Sequence, residues 1–170
     1  SNLGSCVYSE TRNGSLVMHP SRDVPVYLAI ADILGFNPDT QQVSCPLVQS
    51  NGQRIGWGGA MGPSQFIPST WAMYGGIVNR GNGWEYSQSD DAIRTINKTS
   101  GPANPFNNQD AFLATALLLR DNGAGGNERL ASLRYYAGWG GASRPENQFY
   151  GDQVMQRKQR IQKEIQILGN

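Results

Sequence analysis

The chain has 170 residues, 38% of them hydrophobic and only 16% charged, with a net charge of +1. That length supports one domain with a sizeable core, and the near-zero charge excludes a global field that would draw in nucleic acid or an anionic membrane. No stretch approaches the roughly 18 consecutive apolar residues of a membrane span, and the 21 Gly, 9 Pro and many Asn, Gln and Ser predict a loop-rich, uncharged polar surface.

Residues 1–22 read as irregular, with a turn signal at Asn13-Gly14. The chain opens at Ser1 without an initiator Met and reads as a fragment or excised domain. Asp23 is placed to cap a helix with Pro25 in its first turn. Val24, Tyr27, Leu28, Ala31 and Leu34 then share one helical face, and Gly35 ends it. Residues 36–62 are polar and Gly-rich. A short helix is predicted from Pro63 or Ser64 to Tyr74, stopped by Gly75-Gly76, and residues 77–109 read mostly as loop.

Asp110 is the expected N-cap of the clearest helix, Ala111 to Asp121, which is apolar nearly all round and so expected to be buried. Gly123 terminates it. A further helix runs from Glu128 to Tyr136 and breaks at the glycines 138–141. The last, amphipathic helix covers about residues 146–168, with Val154, Ile161, Ile165 and Leu168 spaced for packing. No strand-like alternation persists, and no internal repeat is present. The sequence reads as a single, mainly α domain over residues 1–170 with long Gly/Asn-rich loops.

Cys6 and Cys45 are the only cysteines. They are either two buried thiols or a disulfide. The disulfide is preferred because both sit in loop sequence and no His or Cys partner stands at metal-ligand spacing. Closing a loop of roughly 40 residues would stabilise by about 4 kcal/mol in the chain-entropy model, and a disulfide implies an extracytoplasmic location. His19 is the sole His, with no second ligand and no Ser-His-Asp arrangement around it, so no metal and no cofactor are expected. Asp90-Asp91 reads as a helix cap before a cation site. The cluster Arg157, Lys158, Arg160 and Lys163 reads as a solvated helix face.

The most informative segment is residues 58–71. Its glycines permit positive φ and close backbone approach. Gln65 supplies a two-donor, two-acceptor amide, Ser69 and Thr70 add hydroxyls, and Phe66 and Trp71 add apolar faces. Uncharged hydrogen bonding beside aromatic surface suits a sugar. A phosphate loop would carry Gly-Lys-Ser/Thr, and no Lys is present. A second segment, Arg134-Tyr135-Tyr136-Ala137-Gly138-Trp139, ends a helix with aromatics and then frees the backbone. Taken alone it fits a core-packing helix end with a Gly cap as well as it fits a binding surface. Beside the first segment it points to a sugar cleft, with Trp139 stacking on a ring.

Residues Gly59 to Trp71 resemble the signature of the membrane-bound lytic transglycosylase B family, in the lysozyme-like superfamily. Residues 107–123 resemble that family's following helix. Tyr135-Tyr136-Ala137-Gly138 resembles the aromatic-plus-Gly motif that closes the cleft in lytic transglycosylases. Residues 23–46 and 149–154 are similar to a subset of bacterial relatives that carry both cysteines. The resemblance implies a lysozyme-like fold and cleavage of the β-1,4 bond between N-acetylmuramic acid and N-acetylglucosamine in peptidoglycan. In the family one Glu is first general acid and then general base, and the muramoyl 6-hydroxyl closes a 1,6-anhydro sugar. This departs from the two-carboxylate scheme of most glycosidases. By resemblance, Met61 and Phe66 form an apolar floor. Gln65 hydrogen-bonds the sugar or orients the acid, and Tyr136 hydrogen-bonds near the acid or the scissile oxygen. The implied partner is peptidoglycan, and the implied location is the bacterial cell envelope.

The family's Glu ends a buried helix and is followed by Ser or Thr. Ser1-Asn2-Leu3-Gly4 looks like the sequence after such a Glu, which puts the acid upstream of Ser1 and the domain short at its N-terminus. Glu10 is the alternative, because Glu10-Thr11-Arg12-Asn13-Gly14 mimics the pattern of some relatives. Residues 4–9 form no amphipathic helix with an apolar wall, however, and an exposed Glu keeps a pKa of about 4.3. Glu85, Glu128, Glu146 and Glu164 read as surface charges. The catalytic residue is therefore unassigned. A non-catalytic glycan-binding module is the second reading. A hydrolytic muramidase ranks lower, since neither motif holds a carboxylate.

Overall fold

Pro25 in the first turn and Gly35 at the C-cap bracket α1, Val24–Leu34. The computed structural model describes residues 5–8 and 17–169, which fall into two compact units divided between Ala114 and Thr115.

In the first unit, α1 turns Val26, Tyr27, Ile30 and Ala31 into the core. The sequence predicted a face one position away, with Leu28 and Leu34 inside. Nine of eleven positions in VPVYLAIADIL are aliphatic or aromatic apolar residues or Ala, if Pro is left out of that count, so periodicity does not select a face. Burial of Asp23 on the same side selects it. Asp23 makes no side-chain hydrogen bond to its own helix. Its Oδ1 accepts instead from the Ser69 N–H at 3.1 Å, in the first turn of α2, Pro68–Ala72. The N-cap of α2 is Ile67, whose side chain cannot accept, so a carboxylate from another helix caps it. α2 is shorter than predicted because residues 62–65 form a turn.

Two antiparallel ribbons complete this unit. β1, Ser5–Cys6, pairs with β2, Val43–Ser44, and the Cys6–Cys45 disulfide is formed beside them. β3, Gly75–Asn79, pairs with β4, Trp84–Asp91, across an irregularity between Gly75 and Ile77. The sequence predicted loop here. β4 is largely exposed, and only Trp84 and Tyr86 alternate with polar neighbours, too short a run to mark a half-buried strand. Asp91 caps α3, Ala92–Asn97, by accepting from the Arg94 N–H at 2.9 Å.

α4, Asn108–Asp121, begins three residues before the predicted start. Its capping side chain is Asn107, whose Oδ1 accepts from the N–H groups of Gln109 and Asp110. Asp110 is taken by Arg94, at 2.6 and 2.8 Å, and by the Asn104 N–H at 2.9 Å. Phe112 is exposed, so α4 is not buried all round as expected.

In the second unit, Asn127 caps α5, Glu128–Gly141. Gly138 takes φ 68° and ψ 175°, which breaks the helix at the predicted place. A 3-10 turn, Pro145–Asn147, leads into α6, Gln148–Leu168. Arg129 joins α5 to α6 by donating to Asp152 at 2.7 Å. Ile161, Ile165 and Leu168, spaced for packing, are exposed. Helix makes up 48% of the structure and strand 13%, so helices dominate but a strand component is present. No helix among the described residues is long and apolar enough to cross a membrane.

Candidate functional site

Residues 61–66 form one tight turn. The Met61 N–H donates to the Phe66 carbonyl at 2.8 Å, and the Phe66 N–H returns the bond at 3.2 Å. Met61 is 0% exposed and Phe66 2%, with Phe66 edge-on to Trp71 at 5.7 Å and to Tyr74 at 6.5 Å. Both side chains are thus core groups beneath the turn, and neither reaches the surface. The stem is held by Ser44, whose N–H donates to the Ala60 carbonyl at 2.9 Å and whose Oγ accepts from the Ala60 N–H at 2.9 Å. Ser64 Oγ donates to the Ala111 carbonyl at 3.1 Å.

Gln65 stands at the tip and is exposed. It is one of two non-glycine residues with positive φ among the described residues, at 55°. Its Nε2 donates to the Gly62 carbonyl at 2.8 Å, and its own N–H reaches the same oxygen at 3.2 Å. The amide plane is therefore oriented before any ligand arrives. Gly62 has φ 61°, and a Cβ there would stand 1.9 Å from the Pro105 carbonyl oxygen, so only glycine fits.

In the second unit, Tyr136 stacks on Tyr150 with centroids 4.5 Å apart and planes at 11°, and meets Phe149 edge-on at 5.7 Å. Burial pushes the Tyr150 phenol up, the Arg157 charge opposes that, and Tyr136 adds to it. Tyr136 is about half exposed. Trp139 follows the Gly138 break and is 65% exposed, with the Arg134 guanidinium 3.7 Å from its ring centroid. Arg134 is itself held by donating to the Asn122 carbonyl at 2.7 Å.

No family model, no curated protein and no solved structure matches the chain.

The structure gathers Met61, Gln65 and Phe66 into one turn of the first unit, while Tyr136 and Trp139 belong to α5 of the second. The turn has a distinct electrostatic character. No charged residue occurs between Arg54 and Arg80 in the sequence, so only neutral groups are presented from this stretch. A rigid neutral amide on an apolar base can accept from or donate to a hydroxyl or acetamido group, and cannot by itself move a proton at neutral pH.

The acid-base role that the resemblance gives to a Glu would need that carboxyl group. Glu10 lies outside the described residues. Glu85 is exposed and ion-paired with Arg80, Glu128 with Lys158, and Glu164 with Arg160, while Glu146 is exposed. None of these four is buried against an apolar wall. No group of three or more His, Cys, Asp or Glu able to hold a metal is found among the described residues.

Sequence reasoning passed over Trp57. In the structure Arg54 lies over its ring and His19 packs beside it. An aromatic residue directly before Gly58-Gly59 was the available signal. Its partners lie three and 38 positions back, and the more distant one could not be read from spacing.

Proposed function

We propose that this chain is the glycan-holding part of a peptidoglycan lytic transglycosylase with a lysozyme-like fold, acting outside the cytoplasm. The observation that carries the reading is Gln65, an exposed amide locked in a left-handed turn on a rigid, uncharged base. Strained, pre-oriented polar groups of this kind are concentrated where ligands bind. Met61 and Phe66 act from below by fixing the turn. The half-exposed Tyr136 and the exposed Trp139 provide the aromatic faces that suit sugar rings. The Cys6–Cys45 disulfide supports an oxidising location.

In this reading Gln65 orients an N-acetyl or hydroxyl group of the strand. The acid protonates the glycosidic oxygen and then takes the proton of the muramoyl 6-hydroxyl as that oxygen attacks the anomeric carbon. Glu10, or a Glu supplied upstream of Ser1, fills that role. The exposure of the four described Glu residues favours a second reading, in which this stretch alone binds glycan without cleaving it.

Incubation with purified peptidoglycan separates these. Release of anhydro-muropeptides by the chain, abolished in Glu10→Gln, assigns the acid to Glu10. Release only by a form extended upstream of Ser1 assigns it there. Binding without release by both forms supports the binding module, and no binding by either form rejects both readings.

A further inference from the structure

We propose that Trp57, Arg54 and His19 form a binding site for an oxyanion carried on a ring-shaped or apolar body, chemically distinct from the neutral turn at 61–66. Trp57 is 39% exposed. The Arg54 guanidinium carbon lies 4.7 Å from its ring centroid, and the His19 ring lies 5.1 Å away, inclined by 52°.

The backbone holds all three in place. Val48 and Arg54 pair across a hairpin that is closed by the Ile55 N–H donating to the Leu47 carbonyl at 2.8 Å. The Gly58 N–H donates to the Val17 carbonyl at 2.7 Å, which ties the residue after Trp57 to the segment carrying His19. His19 Nδ1 accepts from the Arg22 N–H at 3.2 Å, so in the neutral ring the proton sits on Nε2 as a donor.

The Arg54 guanidinium lies over the Trp57 ring, a contact that does not use up its N–H donors. Among the described residues no carboxylate forms an ion pair with it. The sequence contains no Asp or Glu between Asp39 and Glu85, so no acidic residue lies within 14 positions of Arg54. Arg22, close to His19 in sequence, is already paired with Asp23. A guanidinium set over an aromatic ring, with no ion pair among the described residues, matches a carboxylate or a phosphate. The exposed part of the indole covers an apolar body attached to that group.

The carboxylate and phosphate sources are told apart with two probes that carry the anion on a pyranose ring, an oligogalacturonate and galactose 1-phosphate, titrated while the NMR signals of the Trp57 indole N–H and the His19 ring are followed. At least one probe is expected to bind and move both signals. Arg54→Ala should weaken that binding by about tenfold. Arg80→Ala removes an exposed arginine already paired with Asp90 and Glu85, and should leave the affinity within about twofold. The proposal is overturned if neither probe binds, if the two variants lose affinity equally, or if a neutral chito-oligosaccharide moves the Trp57 and His19 signals as strongly as the anions do.

Discussion

Gln65 holds φ at 55°, a conformation that costs a non-glycine residue about 1–3 kcal/mol unless its surroundings compensate. Here the compensation is the bond from its Nε2 to the Gly62 carbonyl. Gln65→Gly removes the strain and that bond together, so stability should stay within about 1 kcal/mol of wild type. Glycan binding should nonetheless weaken by about 1–3 kcal/mol, because the ligand group loses its partner. Thermal melts and a glycan titration on the same variant check both halves. Unchanged affinity would remove Gln65 from the site. Gly62→Ala is the complementary case. Its Cβ meets the Pro105 carbonyl, so it should destabilise by about 1–3 kcal/mol in a denaturant melt. At this scale the sequence showed the chemistry of each side chain and not its exposure. Gln65, Met61 and Phe66 stand within six positions of one another, yet one is at the surface and two are in the core.

Helix ends decide much of the architecture at the scale of elements. Asp23 begins one helix in sequence and caps another in space. Asp23→Ala should cost about 1–3 kcal/mol by orphaning the Ser69 N–H, whereas Asp23→Asn keeps an acceptor there and should cost less. Urea melts of both variants test the order. Arg94 and Asp110 join α3 to the start of α4, and Arg94 also donates to the Gly101 and Pro102 carbonyls. Burial pushes the Asp110 carboxyl up, but the hydrogen bonds from Arg94 and the Asn104 N–H outweigh it and hold the group below its ordinary value. A folded-state pKa below the unfolded one means that the pair's contribution is fully present above about pH 4. That contribution is lost as pH falls through the lower, folded value. Wild type should therefore lose stability relative to Asp110→Asn as the pH is lowered from about 4, measured by melts across an acid series. Equal acid sensitivity of the two proteins would contradict this. Helix existence was legible here because Pro, Gly and capping residues act locally. The β3–β4 ribbon was not, since the alternation in β4 stops after Trp84 and Tyr86 and its pairing is fixed by β3.

For the whole molecule, one covalent link closes a long loop of the first unit. Cys6 and Cys45 are 39 positions apart. The double variant Cys6→Ser/Cys45→Ser should lose about 4 kcal/mol in the chain-entropy model. Wild type under reductant should melt with the variant, and coincidence of the oxidised protein with the variant would show that the link contributes nothing. Composition and Gly/Pro punctuation by themselves determined the dominance of helix, the positions of α1, α5 and α6 to within a few residues, and the break at Gly138. The placing of both cysteines in loops already favoured the disulfide. Those features depend on φ/ψ preference and on neighbours a few positions away. The tertiary structure alone decided which face of α1 is buried, that Asp23 caps α2 across 46 positions, and that Arg94 claims Asp110 from 16 positions away. It also decided that Gln65 meets solvent while Met61 and Phe66 do not. Burial and long-range hydrogen bonding are set by which segments meet, and local sequence does not carry that information.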